Sequence, residues 1–145
     1  RDKEEEYMDI EKELNKLIEI VQNEEDDYII LAKNAGILTA LKGIYHNKLN
    51  PKKCIFLGMP VIWARLNNYK IDEWIANYKD IPTLIIQHEE DPSMYFDDLV
   101  AYLKNREMQN YSQVIKIPGR DMFYENIDEI EKLVSSYIKD NSATH

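Results

Sequence analysis

The chain has 145 residues, of which 44% are hydrophobic and 31% are charged, a composition typical of one globular domain rather than of a disordered segment. Its 27 acidic and 18 basic side chains give a formal net charge of −9, and the resulting field repels nucleic acid and anionic lipid. No apolar run approaches the ~20 residues that a membrane-spanning helix needs, so the sequence argues against both nucleic-acid and membrane partners.

The first segment predicts an amphipathic helix over residues 3–23. Its apolar residues recur at helical spacing on one face: Ile10, Leu14, Leu17, Ile18 and Val21. The opening residues, RDKEEEY, lack the apolar core of a signal peptide. The sequence begins at Arg1 rather than at a methionine, and we therefore expect further residues upstream.

Four short apolar runs, each bounded by turn residues, predict four β-strands. They cover residues 28–32, 53–57, 83–87 and 111–117. The first run is continuous rather than alternating, which is typical of a strand buried on both faces.

Helical patterns separate these strands and follow the last one. They are the segment containing Ile37, Leu38, Leu41, Ile44 and Tyr45, the short segment IDEWIANY, a helix opened by Asp91-Pro92-Ser93, and a final helix with Ile127, Ile130, Leu133, Val134 and Tyr137 on one side. Helical crossovers of this length connect parallel strands. We therefore expect a three-layer α/β/α fold with a mainly parallel sheet of about four strands, formed by one domain over residues 1–140, with a frayed tail over residues 141–145.

Neither a metal nor a cofactor is expected. Cys54 is the single cysteine and lies in an apolar run, which indicates a buried, inert thiol and a reducing, cytoplasmic location. The side chains of His88 to Asp91 are of metal-binding type, but neighbours in an extended segment point to opposite faces. The four glycines are too scattered to form a phosphate-binding loop.

Three segments at predicted strand ends carry a family resemblance. They are AKNAG (residues 32–36), HEEDP (residues 88–92) and IPGRDMFYEN (residues 117–126). In this order they resemble the nucleophile elbow, the acid loop and the histidine loop of an α/β-hydrolase, whose triad follows the chain order Ser, Asp, His. The resemblance runs over nearly the whole chain and is to the carboxyl-terminal half of that family's fold, from the nucleophile strand onward.

Carried over residue by residue, the resemblance implies a degenerate triad. Asn34 stands at the nucleophile position, Asp91 at the acid position and Met122 at the histidine position. A carboxamide is not a nucleophile that a base can activate, and a thioether has no proton to transfer. Two interpretations of Asn34 stay open. Either the elbow keeps its geometry without its chemistry, or the turn needs a polar residue that tolerates positive φ.

Further candidates lie near the same predicted strand ends. The backbone N–H of Ala35 is the oxyanion donor that the resemblance implies, and Lys33 and Gly36 complete a candidate site for a small anion at the start of a helix. His88 and Trp63 are candidate pocket residues. His88 is either a replacement base close to Asp91 or, as we expect, a partly exposed loop histidine without a catalytic role.

Two functional hypotheses follow. The first is a catalytically degenerate α/β-hydrolase-like domain that acts in binding or self-assembly and is inactive as it stands. The alternative is a fragment or altered form of a serine hydrolase that acts on small ester or acyl substrates. Since half of the family's sheet is not represented, the strand over residues 28–33 is expected to be an unprotected edge. Such an edge predicts a homo-oligomer or another partner chain along Tyr28 to Lys33.

Overall fold

The computed structural model of the protein describes residues 27–140. The helix predicted over residues 3–23 and the tail predicted over residues 141–145 lie outside the described residues. In chain order the elements are β1 Ile29–Lys33, α1 Ala35–Tyr45, β2 Lys53–Leu57, α2 Val61–Leu66, α3 Ile71–Ala76, β3 Thr83–His88, α4 Phe96–Leu103, a 3-10 helix Glu107–Tyr111, β4 Ser112–Ile117 and α5 Ile127–Lys139.

The four strands form one parallel sheet in the order β1-β2-β3-β4. The register pairs Ile30 with Cys54, Cys54 with Thr83, and Thr83 with Ser112. Because the strands are parallel and consecutive, their carboxyl ends meet at one edge of the sheet. The predicted α/β class with a parallel sheet is confirmed.

Two hydrophobic cores lie on opposite faces of the sheet. Alternate strand residues such as Cys54 and Phe56 pack against helices α1 to α4. The intervening residues, such as Ile55 and Leu57, pack against α5 and the loop before it. These helices and the sheet form three layers, which is the predicted architecture.

Strand β1 differs from the prediction that it is buried on both faces. Ile30 is 6% exposed, but Ile29 is 38% and Leu31 is 62% exposed. Ile29 and Leu31 are exposed because β1 is the edge strand of the sheet. The buried strand residues that pack with α5 come from β2, β3 and β4. One face and one edge of β1 are therefore open within residues 27–140.

The helix predicted to open at Asp91 begins later, at Phe96. The carboxylate of Asp91 accepts hydrogen bonds from the backbone N–H and the hydroxyl of Ser93, which holds this segment in a turn. The sequence pattern did not predict α2 as a separate helix.

Across the described part of the chain, no helix is both long enough and apolar enough to cross a bilayer.

Candidate functional site

Gly58 lies at the centre of the site, directly after β2. Its φ of 78° suits glycine, and a Cβ there would lie 2.9 Å from Oδ1 of Asn34, 3.1 Å from Oδ2 of Asp91 and 2.6 Å from the ring of Tyr124. These three side chains therefore surround Gly58 at the carboxyl edge of the sheet. The structure brings together two of the predicted site residues, Asn34 and Asp91, and adds Tyr124.

Asn34 forms the sharp turn between β1 and α1, with φ 54° and ψ −124°. Its backbone N–H donates to the carbonyl of Leu57 at 3.1 Å, and its Nδ2 donates to the carbonyl of Met122 at 2.8 Å. Its Oδ1 is buried without a hydrogen-bond donor among the described residues. The positive φ agrees with the prediction, but this ψ lies outside the left-handed helical region. The tolerance of asparagine for that region therefore does not account for Asn34.

Asp91 is a fully buried carboxylate that accepts three hydrogen bonds. Its Oδ1 accepts from the N–H of Ser93 at 2.8 Å and from the Ser93 hydroxyl at 2.6 Å. Its Oδ2 accepts from the hydroxyl of Tyr124 at 2.6 Å. Such donors offset the cost of burying a carboxylate. Each carboxylate oxygen therefore already accepts at least one hydrogen bond from a neighbouring residue.

Tyr124 is the functional residue that the sequence did not single out. It has a positive φ of 51°, is buried, and accepts a hydrogen bond on its hydroxyl from the backbone N–H of His88 at 2.9 Å. Burial, followed by the hydrogen bond to Asp91, raises the pKa of Tyr124 well above its ordinary value of 10.0, so the hydroxyl stays protonated and donates. The only signal in the sequence was its place two residues after Met122.

Met122 contacts the site through its backbone carbonyl. Its carbonyl accepts from Asn34, whereas Tyr124 supplies the side chain that contacts Asp91. In a triad, the acid would hydrogen-bond to a histidine. Here Oδ2 of Asp91 instead accepts a hydrogen bond from the phenol of Tyr124. A phenol with a raised pKa is a poor general base at neutral pH.

His88 is 3% exposed, so the expectation of a partly exposed loop histidine is wrong. The strand β3 extends through His88, and the ring lies beneath the loop that follows β4. The ring stacks on Tyr124 with centroids 3.9 Å apart, and a Cβ on Gly119 would lie 2.4 Å from it. Its Nδ1 lies 2.6 Å from the carbonyl oxygen of Asp121, which can only accept, so Nδ1 carries a proton. The ring nitrogens face Asp121 and Asn126 rather than the carboxylate of Asp91.

The candidate anion site lies beside Asn34. Ala35 and Gly36 form the half-buried first turn of α1, where backbone N–H groups have no acceptor within the helix. The ammonium of Lys33 donates to the carbonyl of Phe123 at 3.3 Å, which ties it to the loop after β4. This turn can therefore offer N–H donors, while the lysine is partly engaged.

Trp63 lies in α2. The start of this helix is joined to the acid loop by a hydrogen bond, in which the N–H of Ile62 donates to the carbonyl of Ser93 at 3.1 Å. The Trp63 ring is half-buried and stacks on Tyr69 with centroids 5.6 Å apart. It packs at the margin of the first core.

Within residues 27–140, no three side chains among His, Cys, Asp and Glu converge to hold a metal ion.

No family model matches the sequence. No curated protein matches it either. Solved structures do match the fold. An uncharacterized protein from Bacillus cereus superposes with a TM-score of 0.63 at 23% identity, over 91% of this chain and 45% of that chain. An alpha-beta serine hydrolase homologue from Coxiella burnetii gives 0.61 at 17% identity, over 88% of this chain and 56% of that chain.

A third solved structure, acyl-protein thioesterase 2 from Zea mays, gives a TM-score of 0.53 at 14% identity, over 88% of this chain and 64% of that chain. The chain thus spans between 45% and 64% of the length of these three structures. Identities this low establish the shared fold alone. The resemblance seen in the three strand-end segments is confirmed at that level: the chain has an α/β-hydrolase-like fold.

Proposed function

We propose that the chain is a catalytically degenerate α/β-hydrolase-like domain that acts in binding or self-assembly rather than in hydrolysis. One observation carries the first part of this proposal. The Oδ2 of the buried Asp91 carboxylate accepts a hydrogen bond from the hydroxyl of Tyr124 at 2.6 Å, and a carboxamide, Asn34, occupies the turn after β1. The carboxamide of Asn34 cannot be activated as a nucleophile, and the described side chains that hydrogen-bond to Asp91, those of Ser93 and Tyr124, include no base.

An ester assay tests the loss of hydrolysis. We expect the purified chain to hydrolyse p-nitrophenyl acetate no faster than buffer does. Saturable turnover that disappears in Asp91→Ala would overturn the proposal. Asp91→Asn is a second variant for the same test, because it removes the charge with nearly the same shape. Circular dichroism of each variant would separate lost chemistry from lost folding. Asn34→Ala provides a further check, because it removes the elbow side chain and leaves Asp91 in place.

The open edge of β1 supports the self-assembly part of the proposal. Unpaired backbone groups along a strand of apolar residues favour pairing with another chain, and here Leu31 is 62% and Ile29 is 38% exposed beside that edge. The proposed partner is a second copy, related by a two-fold axis that pairs the β1 strands antiparallel. Leu31 is the central residue of the five in β1, so a symmetric pairing of the whole strand places it opposite its own counterpart.

Light scattering at micromolar concentration tests the assembly. We expect a particle of about twice 17.2 kDa for the parent chain, and a monomer for both Leu31→Glu and Leu31→Lys, because like charges then meet at the axis. Mixing the Glu and Lys variants should restore the dimer. Leu66→Glu is the matched control, since Leu66 is 74% exposed on α2. A monomeric parent chain, or variants that dimerise unchanged, would contradict the proposed interface.

A second candidate function is a fragment or altered form of a serine hydrolase that acts on small ester or acyl substrates. Its support is the fold likeness to a serine hydrolase homologue and to an acyl-protein thioesterase, of which the chain spans 56% and 64%. The coding sequence upstream of Arg1 distinguishes the two candidates. Further strands and an intact oxyanion loop encoded there would favour the hydrolase.

A cytoplasmic location is also part of the proposal. It is supported by Cys54, the single cysteine of the chain, which is buried in β2. Burial raises the pKa of this thiol to about 12, so it is neither a ready nucleophile nor a disulfide partner. Fractionation of cells that express a tagged full-length chain would test the location.

A further inference from the structure

The face of β1 that points toward the α5 side of the sheet is apolar and uncovered within residues 27–140. Ile30 packs in the first core, so alternation along the strand turns Ile29 and Leu31 to the opposite face, on which α5 lies. These two side chains are 38% and 62% exposed, and Phe123 in the loop after β4 is 57% exposed. We call Ile29, Leu31 and Phe123 the β1 strip.

The β1 strip is continuous and lies alongside α5. Lys33 is on the same face as Leu31, and its ammonium donates to the carbonyl of Phe123 at 3.3 Å, so Phe123 extends the strip beyond the carboxyl end of β1. The helix α5 returns to the amino edge of the sheet, where Lys53, the first residue of β2, donates to the carbonyl of Tyr137. It therefore runs antiparallel to the strands, and a second helix beside it would cover the strip.

Residues 3–23 have the pattern and the length to cover the β1 strip. They lie outside the described residues, and their apolar residues recur at helical spacing on one side: Ile10, Leu14, Leu17, Ile18 and Val21. A strand of five residues is as long as about 11 residues of helix. A helix that ends level with Tyr28 therefore places Leu14 to Val21 over β1 and Ile10 near Phe123.

The connection to β1 also favours this face. Only residues 24–27 separate the segment from Tyr28, and a loop this short returns the chain onto the sheet beside the strand that it enters. The other face of β1 is already occupied, because Ile30 packs there with residues of α1. Attachment within one chain gives the segment a high effective concentration at the strip, which favours it over a separate partner.

We propose that residues 3–23 form an amphipathic helix that lies antiparallel to β1, beside α5, with its apolar side on the β1 strip. This helix covers side chains on one face of β1 and leaves the backbone groups of the strand edge available. The contact is therefore compatible with pairing of two β1 strands and also holds in a monomer.

Hydrogen exchange of the full chain, measured by mass spectrometry on peptides from residues 10–21, tests the contact. We expect protected amides in the parent chain and about tenfold faster exchange in Leu31→Gln. Leu66→Gln is the matched control, because Leu66 is 74% exposed on α2, which packs on the opposite face of the sheet. Leu17→Gln should also speed the exchange, whereas Lys16→Gln, on the polar side, should not. Leu, Lys and Gln have similar helix propensities, so local helix preference does not separate these two variants.

Three results would overturn the proposal. They are unprotected amides over residues 10–21 in the parent chain, equal exchange rates in Leu31→Gln and Leu66→Gln, and protection that disappears on dilution. Loss on dilution would mean that the segment covers a second copy. Leu31 and Leu66 are both exposed, so each variant should keep the parent's circular dichroism spectrum. A monomeric parent chain with protected residues 10–21 would contradict pairing along β1 and support the contact with the β1 strip.

Discussion

The hydroxyl of Tyr124 donates a 2.6 Å hydrogen bond to Oδ2 of Asp91, and both side chains are buried at the carboxyl edge of the sheet. This bond joins the loop after β4 to the loop after β3. The same hydroxyl accepts a hydrogen bond from the backbone N–H of His88, so one phenol connects two groups at this edge. In a hydrolase triad, the carboxylate instead orients a histidine.

Tyr124→Phe should destabilise the fold. The substitution keeps the ring that stacks on His88 but leaves one buried oxygen of Asp91 without its donor, at a cost of about 2 kcal/mol. Urea unfolding followed by circular dichroism measures the change. The double variant with Asp91→Asn should lose less than the sum of the two single changes, because the two groups interact directly. Additive losses would argue against the bond.

Gly58→Ala should destabilise the fold by about 1–3 kcal/mol. The φ of 78° is unfavourable for alanine, and the added Cβ would lie 2.6 Å from the Tyr124 ring. Gly36→Ala is the control, since a Cβ there would meet its nearest neighbour, on Ala32, at an ordinary 3.8 Å. Thermal unfolding of both variants makes the comparison. Equal midpoints for the two would mean that the packing around Gly58 is loose.

Restoring the triad residues should not restore hydrolysis by itself. In Asn34→Ser with Met122→His, the hydroxyl of Tyr124 still occupies Oδ2 of Asp91, so the new histidine lacks its orienting carboxylate. Adding Tyr124→Phe frees that oxygen. We therefore expect p-nitrophenyl acetate turnover in the triple variant to exceed that of the double variant. If the double variant already matches the triple, Tyr124 does not block the acid.

Stability should fall as the pH rises above about 9, because of Cys54. Burial raises the pKa of its thiol from 9.0 to about 12, so above pH 9 the unfolded chain loses a proton that the folded chain keeps. The free energy of unfolding then decreases by up to about 1.4 kcal/mol per pH unit. Urea titrations between pH 8 and about 10 should show this slope, and Cys54→Ala should flatten it. An unchanged slope in Cys54→Ala would assign the effect to other groups.

The window for that measurement ends near pH 10, where tyrosines begin to contribute in the same direction. Burial raises the pKa of Tyr124 above 10.0 and that of Tyr137 to about 12. A group with a raised folded pKa that is neutral when protonated stabilises the fold only below that pKa. Tyr124→Phe should therefore change the slope above pH 10 and leave it unchanged between pH 8 and 9.

The order and kind of most elements, and the parallel sheet, could be predicted from the sequence, because local apolar periodicity and turn residues encode them. The run KCIFL predicted β2 to the residue, and the helix after Asn34 ends at Tyr45, the last residue of its pattern. The sequence also placed Asn34 and Asp91 at the ends of β1 and β3, which lie at the same edge of a parallel sheet, on either side of β2.

Which side chains meet at the site could not be predicted from the sequence. The contact of Tyr124 with Asp91 spans 33 residues, and no local pattern encodes a pairing across two loops. Lys53 is the first residue of β2, and its buried ammonium donates to the carbonyls of Tyr137 and Ile138 at the end of α5, 84 and 85 residues later in the chain. The exposure of Leu31 likewise depends on what covers β1. Burial and long-range hydrogen bonding are properties of the assembled layers, whereas strand and helix preference is a property of the chain nearby.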